Sequence, residues 1–362
     1  MIIGSLSEDK KIEQRISITP DIVKKYKDLG IDICLPKGYA EHLGIKDEEF
    51  INAGVEILNH NDEIISKSNL FVQHNILNDE DLQKLNKDQT LIGVLNPHQN
   101  KISLDKLISK KTNCFSLELL PRITRAQSMD ILSSQANLAG YKAVIDSFSY
   151  FKKAIPMMMT AAGTISAAKV LVVGAGVAGL QAIATAKRMG AIVYATDVRM
   201  ASKEQVESLG AKFLTVEDSE NLETSGGYAK ETSEDFKKKQ EELLKKTIEK
   251  IDIVICTALI PGKKAPVIIK KEMINLMKSG SVIYDLAASQ GGNAELTKAN
   301  EIINYNGVTI LGDKNILNKL AISASNLYAK NIFNFINNLY DKEIKNIKIN
   351  LEDEIVEKTL IK

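Results

Sequence analysis

The sequence is sparing with the residues that announce specialised folds. Its three cysteines, Cys34, Cys114 and Cys256, lie far apart in apolar runs (IDICLP, NCFSLEL, IVICTA). That spacing supplies neither a disulfide frame nor a thiolate metal site, so the thiols read as buried side chains of a protein kept in a reducing compartment. An excess of charge of one sign is equally missing, with 47 basic residues against 46 acidic ones. No basic patch interleaves with aromatics, so nothing points to nucleic acid. Long apolar runs are absent too. A membrane span needs roughly 20 apolar residues. The two nearest stretches, 154–168 and 170–186, are separated by Lys169; the first holds Pro156 and the second a glycine turn. Residues 1–8 carry no basic region and no long apolar core, so a secretory leader is not expected.

What is present is a repeated alternation. At 362 residues the chain exceeds the usual size of one hydrophobic core, so two domains are expected. Short apolar strands at 1–6, 32–36, 70–74, 90–95 and 113–119 alternate with amphipathic helices, such as one at 20–29 with Pro20 near its start and Gly30 at its stop. A second series follows at 169–173, 191–197, 212–216, 251–258, 280–286 and 308–312, the strand count of a complete doubly wound sheet. The pattern implies an α/β protein of two Rossmann-like domains with parallel sheets covered on both faces. Two long helices, 128–150 and 319–339, are expected to join the halves, the second with Leu320, Leu327, Phe335 and Leu339 on one stripe. The nucleotide domain (128–317) would then be inserted into a discontinuous first domain (1–127 and 318–362).

Residues 169–197 carry the sharpest signal. The apolar run 169–173 enters Gly174-Ala-Gly176-Val177-Ala-Gly179, a helical stretch follows, and a second apolar run ends on Asp197. This is the dinucleotide fingerprint in its strand–turn–helix context. Gly174 allows the tight turn, Gly176 lets backbone approach a pyrophosphate, and Gly179 lets the helix pack close on the strand. The helix N-terminus offers N–H groups and partial positive charge to the pyrophosphate. A carboxylate at Asp197 suits the adenosine ribose and repels a 2′-phosphate, which favours NAD(H) over NADP(H). Arg199 argues the other way, and a bare strand-to-helix turn without ligand is the bland alternative. Residues 217–250 break the alternation, being polar and charged with Gly226-Gly227 inside. They read either as a solvated excursion or as a lid hinged at the glycines that closes Tyr228 over the cofactor.

Several blocks together carry a family likeness. They are LLPRITRAQSMDILSSQANLAGYKAV (119–144), the fingerprint segment, KEQVESLGAKF, ETSGGYAKE, TALIPGKKAP and SVIYDLAASQGGN. The chain resembles, over nearly its whole length, the NAD(H)-binding component of proton-translocating nicotinamide nucleotide transhydrogenase, with alanine dehydrogenase a more distant relative. The resemblance implies direct hydride transfer from NADH to NADP+ held by a separate NADP(H)-binding subunit, coupled to proton movement through a membrane-spanning partner. Ending at Lys362 without an apolar 20-mer, the chain looks like the split form. The family's contacts carry over as Arg122, Gln127, Asp130 and Ser133 at the nicotinamide end, with Ile123 and Thr124 in the same segment. Val177 falls in the glycine turn, while Asp197, Val198 and Arg199 meet the adenosine end. Gly227 and Tyr228 match a mobile loop at about 217–240, followed by Gln240 and then Leu259 after the fourth strand. For Arg122 and Gln127 the plain alternative is surface polarity; for Asp130 and Ser133 it is helix capping. The likeness further implies a homodimer on the cytoplasmic face of a membrane, held by its partners and not inserted itself.

One chemical distinction is visible in the residues. Hydride passed between two nicotinamide rings needs no proton-transfer side chain, whereas oxidation of an amino acid does. Relatives resembling alanine dehydrogenase carry a Lys in the third-strand segment and a His in the fourth. Here an ungapped reading places Gln73 and Asn96 there, and a small register shift would bring His74 or His98 close. Arg15 matches an arginine that holds substrate carboxylate in those dehydrogenases; in this chain it also reads as a structural ion-pair partner. The functions to be weighed are therefore a transhydrogenase component, an amino-acid dehydrogenase and a non-catalytic NAD(H) sensor.

Overall fold

The computed structural model describes residues 1–216, 234–260 and 263–362. The chain forms two compact units, residues 1–135 with 317–362, and residues 136–316. The first unit is built on six strands: β1 (Ile2–Gly4), β2 (Asp32–Pro36), β3 (Glu56–Leu58), β4 (Leu70–Val72), β5 (Thr90–Gly93) and β6 (Asn113–Ser116). All pair in parallel, in the order β3-β2-β1-β4-β5-β6. This is the doubly wound order, whose direction reverses between β1 and β4. Strands covered on both faces read as unbroken apolar runs, and Leu70, Phe71 and Val72 are all fully buried.

The helix Pro20–Asp28 shows how local chemistry sets these elements. Pro20 opens it, and Gly30 at φ 74° turns the chain out, its N–H donating to the Lys27 carbonyl. Residues 317–362 return to the same core. The helix Ala321–Leu339 buries Tyr328, Ile332, Phe335 and Leu339 there, beside Tyr26, Phe50 and Phe115. The stripe differs from the expected one: Leu320 and Leu327 are only half-buried, because the face centred on Tyr328 meets the sheet.

The second unit adds a hairpin, β7 (Met158–Thr160) with β8 (Gly163–Ile165), and a seven-stranded sheet. Its strands are β9 (Lys169–Val173), β10 (Ile192–Thr196), β11 (Lys212–Phe213), β12 (Ile253–Cys256), β13 (Val282–Asp285), β14 (Ile302–Tyr305) and β15 (Val308–Leu311). The order is β11-β10-β9-β12-β13-β15-β14, parallel except for the β14–β15 pair. Here the reading from sequence needs correction. The alternation leads one to expect five strands and then six, whereas the sheets hold six and seven. β3 is a three-residue edge strand, too short for periodicity to register. β14 is signalled in another way: Asn306-Gly307 turns the hairpin with φ 50° and 78°, the backbone that an Asn-Gly pair favours. The long helix begins at Ile131, later than expected, because residues Thr124–Met129 form a 3₁₀ turn ahead of it. All three cysteines are buried and free, and among the described residues no helix is long and apolar enough to cross a membrane.

Candidate functional site

The glycine turn lies at the carboxyl end of β9, where ligands bind in sheets of this kind. Each glycine meets a different physical demand. Gly174 has φ 94°, a conformation that side chains resist. A Cβ on Gly179 would stand 1.9 Å from the Gly174 carbonyl oxygen, so only hydrogen lets the helix Val177–Arg188 start so close to the strand. A Cβ on Gly176 would meet nothing within 4 Å. Its backbone therefore faces open space at the helix N-terminus, a cradle of the shape and polarity a pyrophosphate requires. Val177, at the first helical position, is 39% exposed beside it.

Supports that sequence reasoning missed hold this turn. Thr257, just past β12, donates its hydroxyl to the carbonyls of Val173 and Gly174 at 3.1 and 3.0 Å. Asn293 is fully buried; its amide donates to Ala258 and Pro266 carbonyls and accepts the Ala258 N–H. That fixes both ends of the segment containing Leu259, which is exposed. Asp285 in turn accepts the N–H groups of Ala287, Asn293 and Ala294 and the Thr297 hydroxyl. From beneath, Gly140 lets two helices touch: a Cβ there would stand 2.0 Å from the Ala178 carbonyl oxygen.

Asp197 sits at the end of β10 and is already well bonded. Its Oδ2 accepts the Ala175 N–H at 2.6 Å and Arg199 Nη2 at 2.9 Å, while Oδ1 accepts the Arg199 N–H and Nε at 2.8 and 2.9 Å. The carboxylate thus ties the glycine turn to β10, and Arg199 neutralises it. A ribose diol would have to share these oxygens with Arg199 or displace it. Val198 and Gln240 are half-buried, the latter on the helix Glu234–Ile248. Gly227 and Tyr228, with the proposed hinge, lie outside the described residues.

In the first unit, the turn Thr124–Met129 buries Ala126 and Met129 and leaves Arg122, Thr124 and Gln127 exposed, with Ile123 half-buried. Asp130 and Ser133 form a helix cap: the carboxylate accepts the Ser133 N–H at 2.9 Å and its hydroxyl at 2.5 Å. The two therefore have a structural role whatever ligand they meet.

The same unit places Gln73, His74, Asn96, His98 and Arg15. Gln73 is locked inside, its Oε1 accepting the Ser5 hydroxyl and the Leu6 N–H at 2.8 and 3.0 Å. Asn96 donates its N–H to Glu118, and His98 is exposed on the turn that follows. Arg15 is engaged by Glu13 in a two-point bond, Nε to Oε1 at 2.7 Å and Nη2 to Oε2 at 2.6 Å, and its Nη1 donates to Gln135 at 2.9 Å. Both partners of this ion pair are buried. A protein carboxylate thus takes the bidentate position on Arg15 that a substrate carboxylate would need. Desolvation and the Arg15 charge pull the His74 pKa down to about 3. Its ring lies 4.4 Å from that of Tyr328, and its Nε2 is buried with no hydrogen-bond partner among the described residues. An imidazole so placed stays neutral at pH 7 and is a poor carrier of protons.

Comparison with known proteins bears directly on this arrangement. The sequence matches the family model described as alanine dehydrogenase/PNT, N-terminal domain, over residues 4–139, and the C-terminal domain of the same family over residues 143–362. The chain belongs to the alanine dehydrogenase/PNT family. Within that family it is 47% identical to the first of the chains that make up the NAD(P) transhydrogenase alpha subunit of Rhodospirillum rubrum, over all of this chain and 96% of that one. Its counterpart in Rickettsia prowazekii is 46% identical over 93% of this chain and 89% of that one. The alanine dehydrogenase of Mycolicibacterium smegmatis is 27% identical over 81% and 74%. Among solved structures, the transhydrogenase from Sinorhizobium meliloti superposes with a TM-score of 0.89 at 42% identity, covering 99% of this chain and 98% of that one. An L-alanine dehydrogenase shares the fold, with a TM-score of 0.81 at 19% identity, covering 99% and 94%.

Proposed function

We propose that the chain is the NAD(H)-binding component of a proton-translocating nicotinamide nucleotide transhydrogenase. The observation that carries this reading is the combination of a dinucleotide turn complete in all three glycines with an Arg15 already closed by Glu13. The first provides for a coenzyme; the second leaves no arginine fork for a small acid. When bound, NADH supplies the reactive hydride at its nicotinamide ring. The chain's own residues bind, orient and exclude water. Gly174, Gly176, Val177 and Gly179 receive the pyrophosphate, and Asp197, Val198 and Arg199 take the adenosine end, favouring NAD(H) over NADP(H). Gln240 and Leu259 line the same nucleotide. Arg122 orients the nicotinamide end, Gln127 sets the ring's approach, and Ile123, Thr124, Asp130 and Ser133 complete that segment.

The acceptor, NADP+, is held by a separate NADP(H)-binding subunit, and a membrane-spanning partner couples transfer to proton movement. The chain works as a homodimer on the cytoplasmic face of the membrane, attached through those partners. Support for a second copy comes from the β7–β8 hairpin, whose Met158 and Ile165 are 40% and 43% exposed, with Met159 80% exposed. Stopped-flow mixing of the NADH-loaded chain with an NADP+-loaded transhydrogenase partner domain tests the function. Transfer no faster than between free nucleotides would sink it. Pyruvate- and ammonia-dependent NADH oxidation by the chain alone would support the amino-acid dehydrogenase instead.

A further inference from the structure

The turn that carries Gln127 is weakly built from within. As a 3₁₀ element it relies on short-span bonds of poor geometry, such as Ala126 N–H to Ile123 carbonyl and Asp130 N–H to Gln127 carbonyl at 3.0 and 3.3 Å. Its anchors from outside come from far along the chain. On the helix Ala321–Leu339, Asn331, Asn334 and Asn338 follow one another at spacings of three and four, which puts them on one face. Asparagine is a poor residue for a helix interior because its amide competes for backbone bonds. Three on one stripe call for another reason, and their bonds give it.

Asn331, 8% exposed, donates to the Ser128 carbonyl at 2.8 Å and accepts the Ser134 hydroxyl at 2.7 Å. Asn334 donates to the same Ser128 carbonyl at 3.0 Å. Asn338 accepts Arg125 Nη1 at 3.1 Å and donates to Asp353 at 3.2 Å. The Arg125 guanidinium forks onto both oxygens of Asp353, Nη1 meeting Oδ2 at 2.9 Å and Nη2 meeting Oδ1. Asp353 is itself fixed, since it caps the helix Glu354–Thr359, whose Ile355 and Val356 are in the core. The turn is thus held at Arg125 and at Ser128, on either side of Gln127.

We propose that this C-terminal segment is a positioning clamp for Gln127, with Asn331 and Asn334 gripping Ser128 while Asn338 and Asp353 grip Arg125. The inference rests on the function proposed above. Exposed ion pairs and amide bonds add little to stability, so the clamp's value is geometric. Hydride transfer is steep in the distance and angle between reacting carbons. A turn free to shift would lower the transfer rate while leaving cofactor affinity nearly intact.

The test uses the full chain with NADH and an NADP+-loaded transhydrogenase partner domain. The variants are Arg125→Lys, which keeps charge but loses the fork, Asp353→Asn, which keeps a helix cap, and the double variant Asn331→Ala/Asn334→Ala. Single-turnover transfer is expected to fall by ~10–100-fold in the double variant and less in the other two. NADH affinity should stay within about twofold, the signature of an interaction that acts on the chemical step and not on binding. If the double variant fails to fold, Arg125→Lys and Asp353→Asn, on exposed positions, still decide the matter. Wild-type transfer matched by folded variants would overturn the clamp alone. So would a fall in transfer no larger than the fall in NADH occupancy. Absence of transfer in the wild type would overturn the function and the clamp together.

Discussion

His74 offers a pH test whose sign and size follow from its surroundings. Unfolded, its imidazole takes a proton near pH 6.5; folded, burial and the neighbouring Arg15 charge delay this to about 3. Between those values the unfolded chain binds a proton that the native protein refuses, so stability is full above pH 6.5 and drains as pH falls toward 3. At about 1.4 kcal/mol per pH unit within that window, the loss between pH 7 and pH 5 is about 2 kcal/mol. His74→Phe keeps a ring against Tyr328 and removes the titrating nitrogens. Native carboxylates titrate alike in both proteins and cancel in the comparison. Urea unfolding at pH 7 and pH 5 should therefore show the wild type losing about 2 kcal/mol more than His74→Phe over that interval. Parallel losses in the two proteins would refute the argument, as would an NMR titration of His74 with a midpoint near 6.5. The same NMR result would reopen the amino-acid dehydrogenase reading, which needs a group that exchanges protons near neutrality.

Other substitutions address the two nucleotide-binding features and the hairpin. Gly140→Ala forces a methyl against the Ala178 carbonyl and should cost about 1–3 kcal/mol in urea unfolding; an unchanged midpoint would mean the helices separate freely. Arg199→Ala frees both Asp197 oxygens. Fluorescence titration should then show NADPH excluded more strongly relative to NADH, by ~10-fold or about 1.4 kcal/mol, and equal losses for both nucleotides would contradict the charge argument. Met159→Glu places a charge on the exposed hairpin, and sedimentation should reveal dissociation of the proposed homodimer; an unshifted dimer would place the interface elsewhere.

The glycine turn was legible in the sequence because everything that shapes it is local. A parallel strand, a reversal that needs positive φ at Gly174, and a helix start pressed on that reversal all occur within a dozen residues. Most strands were legible for the same reason, since two-faced burial writes a continuous apolar run. The β14–β15 hairpin is written in a residue pair, Asn306-Gly307, which an alternation of apolar runs does not register; edge strand β3 is barely written at all.

Tertiary structure decided the rest, because side-chain partners far apart in the chain leave no periodic trace. That Arg15 is closed needed Glu13 two residues away and Gln135 from the start of the long helix. The burial that keeps His74 neutral came from Tyr328, contributed by a segment more than 250 residues later. The asparagines at 331, 334 and 338 look in sequence like flaws in a helix; only their meeting with Ser128 and Arg125 gives them a purpose. Local rules determined that a coenzyme turn would form. Packing between distant segments determined which polar groups remained available for chemistry, because burial and pairing are properties of the assembled core.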